Sequence, residues 1–221
     1  MSLHDAEDLT RLLHLHSGHE CRITFSPDGE MLATHPNQLG SEVWLWEREN
    51  DLDFEKVAEF APDGDMIHDI KFTPEGDYIA GGFRDGIVRI WDVESYELVN
   101  TIDFNTTGGN YNLSFLPDGE ILAASDPDLA SEFYLFNWED GARQQVFKPE
   151  GRISSMEFSP DGTMLAYGLH GGGVEILDTS DWSQLYSFEQ EDTVSGLSFG
   201  PDSSKLAVAT GYGNLYLYGY K

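Results

Sequence analysis

Two histidines, His14 and His16, stand two residues apart in a stretch that reads as a strand, so both side chains leave one face. That spacing can hold zinc. No third ligand follows at a recognisable distance, and outward polar residues on an outer strand give the same pattern, so no metal is expected. The acidic clusters Asp63-Gly64-Asp65 and Asp126-Pro127-Asp128 lack the spaced acids of a calcium loop and read as solvated turns. Nucleophilic catalysis would need a serine or cysteine with a positioned histidine and acid. There is no Gly-x-Ser-x-Gly elbow, and Cys21 falls on an inner strand where a small buried hydrophobe is the ordinary occupant. Gly171-Gly172-Gly173 lies between two strands and not before a helix, so it is a turn and not a phosphate cradle. Asp69 and Glu157 are the acids placed within inner strands, and a glycosidase-like pair of carboxylates remains an alternative. No catalytic residue is assigned, no cofactor is expected, and the chain reads as non-enzymatic.

The elements that would position these groups are set by a repeat. Five times a short apolar strand runs into a proline turn: Ile23–Gly29, Ile70–Gly76, Leu113–Gly119, Met156–Gly162 and Leu197–Ser203. The phenylalanines of these segments sit at 25, 72, 115, 158 and 199, giving steps of 47, 43, 43 and 41 residues. A period of roughly 40–45 residues with four strands per unit marks a β-propeller. In each turn, proline pre-sets φ, the acid caps its own backbone and glycine takes positive φ.

The second unit parses most clearly, into strands Ile67–Phe72, Tyr78–Gly81, Ile87–Val93 and Glu97–Phe104. The first gives Cys21–Phe25, Met31–Thr34, Glu42–Trp46 and Phe54–Phe60. The third gives Asn110–Phe115, Glu120–Ala124, Glu132–Phe136 and Arg143–Phe147. The fourth gives Ile153–Phe158, Met164–Tyr167, Val174–Asp178 and Gln184–Phe188. The fifth has only Val194–Phe199, Lys205–Ala209 and Asn214–Tyr218 before Lys221. Thr10–His16 reads as a strand standing where a fourth strand belongs, and its addition to the last unit would remove two open edges. The expected fold is therefore all-β: a five-bladed β-propeller with four antiparallel strands per blade, the last blade closed by the N-terminal strand. One domain is expected over residues 1–221, with blades near 20–60, 67–104, 110–147, 153–188 and 194–218 plus 10–16. Leu3–Leu9 is expected as a helical turn or a frayed end.

Charge bounds the partners. Forty acids against twelve Lys and Arg give a net charge of −28. A phosphate backbone or an anionic membrane would be repelled, so neither nucleic acid nor membrane is expected. The acids are spread over every repeat and not gathered in one block. This favours adaptation to a salty cytoplasm, where screening at about 3 Å in molar salt relieves self-repulsion, over a face for one basic partner. A single cysteine makes no internal disulfide, Met1–Asp8 is polar and acidic, and no apolar run reaches the ~18 residues of a membrane span. A soluble, cytoplasmic protein is expected.

Gly82-Phe83-Arg84-Asp85-Gly86-Ile87-Val88-Arg89-Ile90-Trp91-Asp92, with the turn at Thr73–Gly76, resembles the WD-repeat family, and the resemblance extends over all five units. In that family an Asp before the third strand, a Trp late in it, a Ser or Thr in the second strand and a His before the first share hydrogen bonds. The resemblance gives Asp85, Trp91 and Trp46 structural roles, with Thr34 in the Ser position of unit one. The other units depart: Phe136, Leu177 and Tyr218 hold the Trp place, and Gly40, Ala130, Gly171 and Tyr212 the Asp place. Gly18-His19 resembles the family's Gly-His pair, set closer than usual to Phe25.

The resemblance implies a platform whose top face and channel mouth, built by the loops before the first and third strands, bind another protein or peptide. Residues mapping there are His68, Arg84, Asn110, Tyr111, Arg152, His170 and Tyr212. Aromatic and arginine side chains are over-represented among binding hot spots. The alternatives are a five-bladed glycan binder or glycosidase, and a fragment or engineered propeller without a ligand of its own. A monomer is expected if the ring closes, a dimer if it does not.

Overall fold

The computed structural model describes residues 2–4, 11–14, 22–35, 42–50, 53–60, 66–104, 112–126 and 132–219. The described residues form strands and turns and no helix. The fold class is the expected all-β, five-bladed β-propeller. The chain divides into two compact units, Met1–Gly108 and Gly109–Lys221.

The first unit holds a two-stranded N-terminal sheet and two blades. The sheet pairs β1 (Ser2–His4) with β2 (Arg11–His14). Blade one is β3 (Arg22–Phe25), β4 (Met31–His35), β5 (Val43–Arg48) and β6 (Phe54–Phe60), and blade two is β7 (Ile67–Phe72), β8 (Tyr78–Phe83), β9 (Ile87–Asp92) and β10 (Leu98–Asp103). The second unit holds blade three, β11 (Leu113–Phe115), β12 (Ile121–Asp126), β13 (Glu132–Asn137) and β14 (Arg143–Phe147). Blade four follows as β15 (Ile153–Phe158), β16 (Met164–Leu169), β17 (Gly173–Asp178) and β18 (Gln184–Glu189), and blade five as β19 (Val194–Phe199), β20 (Lys205–Thr210) and β21 (Leu215–Gly219). Every blade is an antiparallel meander in chain order.

One expectation is corrected. Residues 10–16 were to pair with the last blade, but Arg11–His14 pairs with Ser2–His4, in register Ser2 with His14 and Leu3 with Leu13. Blade five accordingly has three strands among the described residues. Pairing with a strand a few residues upstream closes a small loop, whereas pairing with the final strand closes one of about two hundred residues, which costs more chain entropy. Of the span Leu3–Leu9, expected as a helical turn or a frayed end, Leu3 and His4 fall in the strand Ser2–His4 and residues 5–9 lie outside the described residues.

The proline turns are alike in all five blades. The fourth residue's N–H donates to the first residue's carbonyl: Gly29 to Ser26, Gly76 to Thr73, Gly119 to Leu116, Gly162 to Ser159 and Ser203 to Gly200, at 2.8–2.9 Å. The fourth residue has positive φ each time, 72° to 86° for the glycines and 57° for Ser203. Ser203 is a substitution with a reason. It is 5% exposed, and its hydroxyl accepts a hydrogen bond from the Asp161 N–H of blade four at 3.1 Å.

The inner strands bury residues at i, i+3 and i+5, not at every second place. Ile67, Ile70 and Phe72, Ile153, Met156 and Phe158, and Val194, Leu197 and Phe199 are all buried. A bulge in each strand, between Ile67 and Asp69, Ile153 and Ser155, and Val194 and Gly196, inserts the extra residue that breaks the alternation.

The core within each unit is the space between consecutive blades. In the first unit Val43 and Leu45 of blade one pack with Ile67, Ile70 and Phe72 of blade two. In the second, Phe133 and Leu135 pack with Ile153, Met156 and Phe158, and Val174 and Ile176 with Val194, Leu197 and Phe199. Each such side chain contributes about 1.5–3 kcal/mol by leaving water.

Candidate functional site

In four blades the loop entering the first strand is hydrogen-bonded to the loop leaving the second. Arg84 N–H donates to the Met66 carbonyl at 2.8 Å, Ser125 to Asn112 at 3.1 Å, His170 to Arg152 at 2.9 Å and Gly211 to Thr193 at 2.9 Å. These are the two loops expected to form a binding face. The stitch ties the two loop backbones together.

Among the described residues, blades four and five carry the most continuous stretch of these loops. The Arg152 carbonyl holds the His170 N–H, the His170 carbonyl accepts from the Thr193 hydroxyl at 2.8 Å, and the Thr193 carbonyl holds the Gly211 N–H. Asp192 then accepts from the Tyr212 N–H at 2.6 Å. Six loop residues of two blades are thus tied together, with Arg152 and His170 exposed at one end. Tyr212, 85% exposed, stands at the other. Loss of solvent around the imidazole, and then the charge of Arg152, hold the His170 pKa below its ordinary value. The ring is therefore neutral near pH 7 and can donate and accept at once.

The first unit places His68 and Arg84 on blade two. His68 is half-buried on β7, and its carbonyl accepts from Arg22 Nε of blade one at 2.7 Å. Arg84 is exposed at the turn after β8. It forms no ion pair among the described residues; the neighbouring Asp85 is taken by Arg89, with Nη2 2.6 Å from Oδ2. Asn110 and Tyr111 lie outside the described residues, as do Cys21 and His16. Of the two inner-strand acids, Asp69 is half-buried on β7 and caps the Ile70 N–H at 3.0 Å, and Glu157 is half-buried on β15.

The structural residues divide. Trp46 Nε1 donates to Thr34 Oγ1 at 3.0 Å, the bond implied by the resemblance for unit one. Asp85 is also in place, capping the Ile87 N–H at 3.1 Å, but its remaining bonds go to Arg89. Trp91 is 5% exposed and stacks on Phe60 at 5.1 Å between centroids. The second-strand place that corresponds to Thr34 is Gly81, paired with Arg89, where an added Cβ would meet the Phe83 ring at 2.9 Å and the Trp91 ring at 3.2 Å.

A further cavity lies in the first unit, at the end of the blade-two strands away from Arg84. It has a volume of about 540 Å³ and is lined by Glu47, Asp77, Asp92 and Glu94 together with Tyr78 and Tyr96. Three bonds from Ser95 and Glu94 occupy Asp92 and hold its pKa below the ordinary carboxylate value. The lining suits a cationic group. Sequence reasoning passes over it because its walls come from turns of two blades some thirty to fifty residues apart. Asp192 and Thr193 were missed for a plainer reason: both act through hydrogen bonds to loops that only the folded backbone brings near.

No helix among the described residues is long and apolar enough to cross a membrane. No group of metal-ligating side chains occurs among them.

Comparison with known proteins agrees with this architecture. Residues 54–92 match the WD40 family, described as WD domain, G-beta repeat. The chain is similar to Protein HIR1 of Cryptococcus neoformans var. neoformans serotype D, 32% identical over 193 residues that cover 79% of this chain and 21% of that protein. It is similar to the WD repeat-containing protein 26 homolog of Drosophila melanogaster, 28% identical over 120 residues, 52% of this chain and 19% of that protein. With WD repeat-containing protein SL1-17 of Schistosoma mansoni the identity is 29% over 119 residues, 54% of this chain and 36% of that protein. The chain thus spans about a fifth of the length of the first two relatives.

Proposed function

We propose that this chain, which belongs to the WD-repeat family of β-propellers, is a non-catalytic platform that binds another protein or peptide through the loops entering its first and third strands. Kinship with other WD-repeat proteins supports a scaffold for protein interactions; the face, and the residues on it, are our reading. The observation that carries it is the bonded series from Arg152 through His170 and Thr193 to Asp192 and Tyr212. A loop fixed by its own backbone bonds loses little entropy on meeting a ligand. Tyr212 supplies a large rigid ring, Arg152 a fork of donors, and neutral His170 a donor and an acceptor. Arg84 and His68 of blade two extend the reading to the first unit.

The test is a displayed library of random peptides, panned against the folded chain in molar KCl. Selected peptides are expected to lose at least tenfold in affinity for Tyr212→Ala and Arg152→Ala, with melting temperature unchanged because both side chains leave the core alone. Failure to enrich any peptide, or equal affinity for all variants, would remove the proposed face.

A further inference from the structure

Four blades bury the same two side chains of the third strand. Val43 and Leu45, Val88 and Ile90, Phe133 and Leu135, and Val174 and Ile176 are each at most 1% exposed. Within each unit these pairs enter the first strand of the following blade: Val43 and Leu45 against Ile70 and Phe72, Phe133 and Leu135 against Met156 and Phe158, Val174 and Ile176 against Leu197 and Phe199. The strand registers, Leu165 with Leu177 in blade four and Leu206 with Tyr218 in blade five, assign the same two places in blade five to Leu215 and Leu217. Those leucines are 74% and 69% exposed.

The complementary half is uncovered at the other end of the repeat. Ile70 and Phe72, Met156 and Phe158, and Leu197 and Phe199 receive a preceding blade and are 1–9% exposed. Their counterparts in blade one, Ile23 and Phe25, are 37% and 43% exposed. The chain therefore carries one donor face and one receiver face, both apolar, both in the register used elsewhere for blade stacking.

We propose that the Leu215 and Leu217 face of blade five docks on the Ile23 and Phe25 face of a second copy of this chain, head to tail. The occupant follows from the chain's own interfaces. Blade five already receives blade four through Val194, Leu197 and Phe199, and its opposite face continues that stack with the side-chain types that blade four donates. Blade one of a second copy offers the matching receiver, an aliphatic residue and a phenylalanine two places apart. Among the described residues the last strand leaves its outer edge unpaired: Asn214 directs its carbonyl to Thr210 at 3.0 Å, so alternation turns the backbone groups of Leu215 and Leu217 outward. Because the contact is apolar and the net charge is −28, added salt strengthens it by screening repulsion between copies. A head-to-tail contact either closes into a ring of copies or runs on into longer chains.

The test is molar mass by light scattering, at low and molar KCl, over a wide concentration range. The wild-type chain is expected at two or more copies, more completely in molar KCl. Leu215→Asp with Leu217→Asp, and separately Phe25→Asp, are expected to be monomers with wild-type circular dichroism. Ile23→Lys replaces Phe25→Asp if that variant does not fold. Mixing the two monomeric variants is expected to restore a two-copy species, since each retains one intact face. A wild-type chain that is monomeric throughout, an assembly that survives the leucine substitutions, or variants that stay monomeric when mixed would each overturn the proposal.

Discussion

Arg89 and Asp85 meet in a two-pronged ion pair, Nη2 2.6 Å from Oδ2 and Nη1 3.2 Å from Oδ1, with Arg89 only 8% exposed. The guanidinium also lies over the Phe83 ring, 4.6 Å from its centroid. In the family an Asp in this loop is part of a network with Trp, Ser and His. Here the acid is turned to an arginine on its own blade, and the loop before β9 is held without that network. Leaving Asp85 half-buried and unpaired, Arg89→Leu is expected to cost about 3 kcal/mol. Adding Asp85→Ser, which keeps a cap for the Ile87 N–H, is expected to recover part of that loss. Chemical denaturation of the two variants in molar salt measures both, and a loss that vanishes in salt would show the pair to be a surface contact.

Trp46 and Thr34 form a piece of that network among the described residues of the first blade, and Thr34 is 1% exposed. Thr34→Val keeps the shape and removes the acceptor, leaving the indole N–H without its partner. The expected cost is about 1–2 kcal/mol. Thermal unfolding checks it; no change would mean that water replaces the hydroxyl.

The repeat made most of the fold legible, because proline, acid and glycine at fixed offsets mark a turn and the phenylalanine before it marks an inner strand. The bulges after Ile67, Ile153 and Val194 were not read from the sequence, because only the pairing of the backbone shows where the extra residue enters. The N-terminal strand was misassigned because apolar content says that Arg11–His14 pairs, not with what. Arg152, His170 and Tyr212 could be placed on loops from the strand order, whereas the bonds through Thr193 and Asp192 that tie those loops depend on the backbone of two blades at once. Side-chain pairing such as Arg89 with Asp85 competes with alternatives of similar charge and distance, which a linear pattern cannot rank.

Gly168 marks a close approach of blades four and five. An added Cβ would stand 2.4 Å from Val194 Cγ1 and 2.7 Å from its Cβ. Gly168→Ala is therefore expected to destabilise by about 1–3 kcal/mol through overpacking. Val194→Ala makes room, so the double variant is expected to be more stable than the two single losses added together. Strict additivity in a denaturation cycle would show that the strands separate and do not press.

Net charge sets a salt dependence opposite to that of surface ion pairs. With 40 acids against 12 bases, repulsion among carboxylates opposes the folded state, and a shorter Debye length weakens it. Melting temperature is expected to climb by ten degrees or more, on the order of a few kcal/mol, between dilute buffer and molar KCl. A flat profile would reject self-repulsion as the dominant electrostatic contribution.

Acid acts through the proline turns. Asp161 accepts from the Ser159 hydroxyl at 2.7 Å and the Thr163 N–H at 3.0 Å, and these bonds, the hydroxyl first, hold its pKa below 3.8. Asp28 and Asp202 are lowered in the same way by Ser26 and Ser204. A carboxylate with a lowered folded pKa binds fewer protons when folded, so its stabilisation is whole above the unfolded value and is lost as pH falls through the folded one. In dilute buffer this loss is masked, because protonating carboxylates as the pH falls also relieves the repulsion among them. Molar KCl removes the mask. There, melting temperature is expected to be level down to about pH 5 and to fall below about pH 4. Asp161→Ala is expected to melt below the wild type at pH 7 and to converge with it in acid. A difference that persisted unchanged at low pH would trace the turn's stability to packing and not to the charged acceptor.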